Sequence, residues 1–131
     1  MKSRIFVLAV MAGGLLLGSP AAYGQPVTKL TANLSPATID AIWCSALFLE
    51  EAYYWDEGSQ DALHYEDMAY DLGERLDEVM REAGLPTAEG EEIWAIFDEA
   101  AADFALDDET SYLVELDACE EAYQADKLQL R

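Results

Sequence analysis

Positive charge is what this sequence has least of. Seven lysines and arginines and one histidine stand against 27 aspartates and glutamates in 131 residues, a formal net charge of −20. A chain this acidic is repelled by nucleic acid and by anionic lipid, so neither is an expected partner. Cysteine is scarce as well: only Cys44 and Cys119 are present. They form no CxxC redox pair, and a two-thiolate metal site is the other alternative to a bridge. With His64 as the sole histidine and no CxxCH attachment motif, the soft and imidazole ligands that copper or haem need are nearly missing. Strand signals are missing too, since no useful length of chain alternates polar and apolar residues. No internal repeat or low-complexity linker is visible.

The longest uninterrupted apolar stretch lies at the start. Lys2 and Arg4 form a basic n-region, Ile5 to Leu17 an apolar h-region, and Ala22-Tyr23-Gly24 a small-x-small cleavage site. Residues 1–24 therefore read as a secretory signal peptide, and the mature chain is expected to begin at Gln25. The run is short for a bilayer span and contains Gly13 and Gly14. No cysteine near the cleavage site marks a lipoprotein. The leader has a bacterial style, so the glycosylation sequon Asn33-Leu34-Ser35 carries little weight. The expected location is exported: periplasmic, or secreted.

Cleavage leaves 107 residues, enough for one domain with a modest core. Residues 25–34 form an irregular leader and residues 35–131 a single helical domain. The organising stretch is Ser35 to Trp55, the most apolar of the mature chain. Ser35 is an N-cap and Pro36 suits the first helical position. Ile39, Ile42, Trp43, Ala46, Leu49 and Tyr53 recur at helical steps up to about Asp56, widened by Leu47, Phe48 and Tyr54. Gly58 ends this helix. Ser59 caps a second, from about Gln60 to Ala83, with the stripe Tyr65, Met68, Leu72, Leu76, Val79 and Ala83. Its Gly73 marks either a close helix–helix approach or a tolerant surface position. After the stop at Gly84 and Pro86, Thr87 is the expected cap of a third helix from Ala88 to Phe104. Its stripe is Ile93, Ile96, Phe97, Ala100 and Phe104. Asp107, Asp108 and Thr110 are all candidate caps for a fourth helix, whose face is Tyr112, Leu116, Cys119 and Tyr123. Lys127 and Arg131 fall near its C-terminal end, where they suit the helix dipole.

Short connections between helices favour antiparallel neighbours. The predicted fold is an all-α, up-down-up-down four-helix bundle. In that topology the first and last helices lie side by side, and Cys44 and Cys119 fall near the middle of each. Two cysteines in an exported chain are most simply one disulfide. Closing a loop of this length is worth about 4–5 kcal/mol in the chain-entropy picture. That is a large share of the roughly 5–15 kcal/mol that holds a domain together.

Charge distribution says more than its total. Without Lys2 and Arg4 the formal charge becomes −22, and from Glu82 to Asp126 there are 15 acids and no lysine or arginine. Arg75 and Arg81 are each preceded four residues earlier by an acid, Asp71 and Asp77, as local helix support. The candidate surface for a cationic partner comprises Glu91, Glu92, Asp98, Glu99, Asp103, Asp107, Asp108, Glu109, Glu120 and Glu121. It suits a basic protein or polycationic peptide, whose encounter it would speed in a salt-sensitive way. Excess acid also serves solubility or adaptation to salt without any partner.

Other sites read weakly. His64 and Met68 lie four apart on the second helix as a weak candidate metal or haem pair, and Met68 already belongs to the core stripe. The acidic windows Asp56–Asp67 and Asp103–Glu115 lack the glycine and alternating oxygen ligands of a calcium loop. Adjacent glutamates such as Glu50 and Glu51 do not face each other on a helix, so no catalytic pair stands out. Tyr53, Tyr54 and Trp55 place aromatic surface beside acid, which fits either a partner's arginine or the capping of a small core. The expected function is that of a small, exported, acidic, non-enzymatic binding protein without cofactor, an inhibitor or immunity-type protein for a basic partner. The alternatives are a periplasmic stress chaperone, a structural protein with a salt-adapted surface and, last, a metal or haem carrier. In outline the chain is comparable to the small periplasmic acid-stress chaperones, which are helical, exported and held by one disulfide, though it shares no motif with them.

Overall fold

The computed structural model describes residues 24–128 and 130. The expected signal peptide, apart from Gly24, and Arg131 lie outside the described residues. Four helices follow one another: α1 (Pro36–Tyr54), α2 (Gln60–Glu82), α3 (Thr87–Asp107) and α4 (Glu109–Gln124). Among the described residues there is no strand. The fold is the four-helix bundle that the sequence predicts, with the disulfide between its first and last helices.

Local chemistry sets most of the helix ends. Ser35 accepts from the Thr38 amide at 3.1 Å ahead of Pro36, and Ser59 accepts from the Ala62 amide at 3.2 Å. At the end of α2, Gly84 takes φ +86°, and the amides of Leu85 and Gly84 close onto the carbonyls of Met80 and Arg81. This is a Schellman stop, which needs a left-handed residue at the glycine position. At the end of α4 Asp126 fills the same role at φ 55°, and Lys127 closes the turn onto Ala122 beyond the helix rather than inside its last turn. Gly73 borders open space, so it is a tolerant surface position.

The junctions around α3 depart from expectation. Thr87 is the first helical residue and Pro86 occupies the cap position without a side-chain bond. Proline's fixed φ already points the chain into the helix, so the hydroxyl comes one residue late. The helix runs on to Asp107, three residues past Phe104, because Ala105 and Leu106 continue it without a breaker. Asp108 then ends α3 and caps α4 at once, its carboxylate accepting from the Ser111 amide at 3.1 Å and hydroxyl at 2.8 Å. The leader is less irregular than its sequence suggests. Thr28 caps a short 3-10 turn, Lys29–Thr31, and Thr31 and Leu34 are buried.

Helix α1 is the axis of the molecule. Every residue from Ala41 to Phe48 is buried, so it is enclosed on all sides rather than along one stripe. Ser45 bonds to the Ala69 carbonyl and Phe48 stacks on Tyr65, which sets α2 antiparallel to α1. Trp43, Cys44 and Glu51 meet Glu115, Cys119 and Tyr112, which sets α4 antiparallel to α1. Thr38 reaches the Leu130 carbonyl at the far end of the same seam. Helix α3 covers α1 through Phe97 and Phe104, both against Trp43. The disulfide has a Cα–Cα distance of 5.4 Å and both cysteines are buried.

Candidate functional surface

Cations are scarce, and aromatic side chains take their place opposite the carboxylates. All three tryptophans donate their indole N–H to an acid: Trp43 to Glu115 at 2.8 Å, Trp55 to Glu51 at 3.0 Å and Trp94 to Asp77 at 2.7 Å. Three tyrosines do the same with their hydroxyls: Tyr112 to Glu51 at 3.1 Å, Tyr65 to Glu120 at 3.2 Å and Tyr123 to Asp71 at 2.8 Å. A neutral donor that is buried on its carbon side and polar at its tip satisfies a carboxylate without a second charge. Glu51, only 2 % exposed, is held in this way on both oxygens. Burial and the neighbouring Glu120 push the Tyr65 hydroxyl well above its usual range. Burial, followed by the hydrogen bond to Asp71, pushes Tyr123 in the same direction.

The acids expected to meet a cationic partner are distributed over several places. Glu120 is drawn inward, its oxygens shared between His64 at 2.6 Å and Tyr65. Asp108 is spent as a helix cap. Glu91 sits beside Arg81 and Pro86 in a shallow dent between α2 and α3. Asp103, Asp107 and Asp108 border another dent with Gly24, Ala100 and Phe104. Glu92, Glu99, Glu109 and Glu121 are exposed. The Arg75–Asp71 pair forms at 3.2 Å, whereas Asp77 is engaged by Trp94. His64 is a surface residue held by Glu120, and Met68 is buried in the core. Among the described residues no group of three or more His, Cys, Asp or Glu side chains is arranged to hold a metal.

One place stands apart. Asp98 of α3 comes near Glu50 and Tyr53 of α1, and Glu66 and Tyr70 of α2 complete the neighbourhood. Tyr53 and Tyr70 are 70 % and 59 % exposed, the most exposed aromatic rings among the described residues. Asp98 is half-buried, and burial pushes its carboxyl above the usual range. Glu50 is raised by burial first, then by the charges of Glu51 and Asp98. Tyr53 is raised by what burial it has, then by Tyr70, Asp98, Glu66 and Glu50. Neither Glu50 nor Asp98 has a cationic partner among the described residues. Desolvated carboxylates crowded by like charge beside exposed rings form a surface that a cation would relieve.

Sequence reasoning singled out Asp98 and Tyr53, weighed Glu50 only as a pair with Glu51, and did not reach Glu66 or Tyr70. The available signal was the spacing: Glu66 and Tyr70 lie four apart off the core stripe of α2, and Glu50 and Tyr53 three apart on α1. Comparison of the chain with protein-family models, curated proteins and solved structures gave no match. Among the described residues no helix is long and apolar enough to cross a membrane.

Proposed function

We propose that this protein is exported and acts as a binding protein, without catalysis, for a basic protein or polycationic peptide. The surface around Tyr53, Tyr70, Glu50, Glu66 and Asp98 is its docking site. Residues 1–24 are its secretory signal, and the buried disulfide accords with an oxidising compartment. The observation that carries the reading is the unneutralised pair Glu50 and Asp98, both raised and both bordering exposed tyrosines. An arginine entering here stacks its guanidinium on a tyrosine face while its N–H groups meet the carboxylates. Arginine fits better than lysine because its planar fork engages ring and carboxylate together. The remaining acids on α3 and α4 steer the partner over longer range.

Calorimetry with a short arginine-rich peptide and a lysine-rich peptide of equal charge tests this. The arginine peptide binds more tightly, and Tyr53→Ala combined with Asp98→Asn removes the difference. Equal binding of both peptides, unchanged in that variant, would mean that the charge excess acts only as a diffuse field. Capture from the organism's exported fraction, eluted by a salt gradient, then identifies the partner if one basic protein leaves the column at stoichiometric amount and is lost with the same variant.

A further inference from the structure

The outward face of α2 carries a seven-residue pattern that its core stripe does not use. Leu63, Asp67, Tyr70 and Glu74 follow one another at steps of four, three and four, and all four are exposed. On a helix that spacing lines residues up along one ridge, here about three turns long. The ridge alternates in character. Leu63 and Tyr70 are large and apolar, 47 % and 59 % exposed. Asp67 and Glu74 are acids with no cationic partner among the described residues. The two flanks of the ridge differ. Towards α4, His64 and Asp71 are already tied to Glu120 and Tyr123. On the other flank Gly73 adds no side chain and borders open space, and Glu66 and the Tyr53 ring of α1 neighbour Tyr70. The next step of the ridge, Asp77, is engaged by Trp94 of α3, which closes the open run.

We infer that this ridge seats a cationic amphipathic helix of the partner, laid along α2 with a seven-residue repeat of its own. The inference rests on the docking reading and names the form of the guest. Apolar residues at every seventh position of the guest cover Leu63 and Tyr70, and arginines between them meet Asp67 and Glu74. A further arginine on the flank nearest α1 enters among Tyr53, Glu66 and Asp98. The bare Gly73 leaves room for the guest's backbone beside Tyr70. Charge selects the occupant. A second copy of this chain, with its net charge of −20, brings acids against acids, and any acidic helix does the same. An extended peptide has no strand edge to join among the described residues. A helix of about three turns is marginal alone in water, so the guest completes its helix on docking.

The test uses the protein with its disulfide intact and two peptides of equal composition, each about three heptads long. One sets leucine and arginine in the seven-residue repeat, and the other scrambles them. Calorimetry reads affinity, and the circular dichroism gained on mixing reads helix formation. The expected result is that the patterned peptide binds about tenfold more tightly and gains helix, and that the scrambled one gains none. Leu63→Gln, outside the group of tyrosines and acids already described, removes most of that advantage. Val114→Gln, at a similarly exposed apolar position on α4, leaves both affinities unchanged. Equal binding of the two peptides without helix gain, still weakened by Tyr53→Ala with Asp98→Asn, overturns the helix seat and leaves the docking site standing. An advantage that persists in Leu63→Gln puts the guest elsewhere and overturns the ridge. Failure of either peptide to bind overturns both readings.

Discussion

Trp43 and Glu115 are 72 residues apart in sequence and 2.8 Å apart in space, joined by an indole N–H donated to a carboxylate oxygen. The tryptophan is 2 % exposed, so its N–H has no access to bulk water if the acceptor is removed. Glu115→Ala is expected to cost about 1–3 kcal/mol, the range for leaving a buried donor unsatisfied. For a domain of this size that lowers Tm by several degrees per kcal/mol in thermal denaturation. Trp43→Phe in the Glu115→Ala background should cost less than the sum of the two single changes, because the orphaned donor goes with the ring.

Glu51 holds Tyr112 and Trp55 together from the core of α1. Glu51→Ala removes the shared acceptor of both, and the expected loss is about 2–4 kcal/mol from unsatisfied groups and the space left behind. Glu51→Gln keeps one acceptor oxygen and should lose distinctly less. Chemical denaturation of the two variants side by side gives the comparison, and equal losses would show that packing rather than hydrogen bonding matters here.

Both sulfurs of the Cys44–Cys119 bridge lie in the core, and the bridge closes a sequence separation of 75 residues. Native protein should resist mild reductant and alkylation until denaturant is added. Replacing both cysteines with alanine is expected to cost about 2–4 kcal/mol. Mass spectrometry after alkylation with and without denaturant reads the first outcome, and melting curves read the second.

The raised carboxyls of Glu50 and Asp98 set a pH dependence with a definite sign. Their folded-state pKa values lie above the unfolded ones. The stability they allow is therefore complete below the unfolded carboxylate range and is lost as pH rises through their folded values. The bundle should melt higher on mild acidification from neutral pH. Glu50→Gln and Asp98→Asn should each raise Tm at neutral pH and make little difference once both acids are protonated. The raised Tyr65 and Tyr123 act in the same sense at the alkaline end. Stability should fall as pH climbs past the usual tyrosine range, and Tyr65→Phe should blunt that fall. Melting temperature measured across pH for the four proteins checks each point.

Much of the fold was legible because the signals are local. Ser35-Pro36, Ser59 and the Gly84-Pro86 stop act on the few residues around them and bound helices where the sequence places those ends, whereas α1 stops at Tyr54 with Trp55 already extended, short of the expected Asp56 and Gly58. Cys44 and Cys119 meet because short connections leave little choice of neighbours. What was not legible depends on packing. Periodicity gives α1 a stripe, yet three other helices enclose it completely from Ala41 to Phe48. The double use of Asp108 could not be separated from Asp107 or Thr110 by residue type, since all three can cap. The proposed docking surface was half legible. Asp98 and Tyr53 stood out as acid and ring, but Glu50, Glu66 and Tyr70 join them only through the crossing of α1, α2 and α3.

The bonds from tryptophan and tyrosine to carboxylate set how the protein responds to ionic strength. A neutral N–H or O–H donor is not screened by dissolved ions as an ammonium is. Brine or dilute buffer should leave these internal ties unchanged, and added salt should ease the mutual repulsion of the outer acids. The same salt should weaken capture of a cationic guest at the proposed docking surface. Raising salt should therefore release a cationic guest from that surface while the host stays folded.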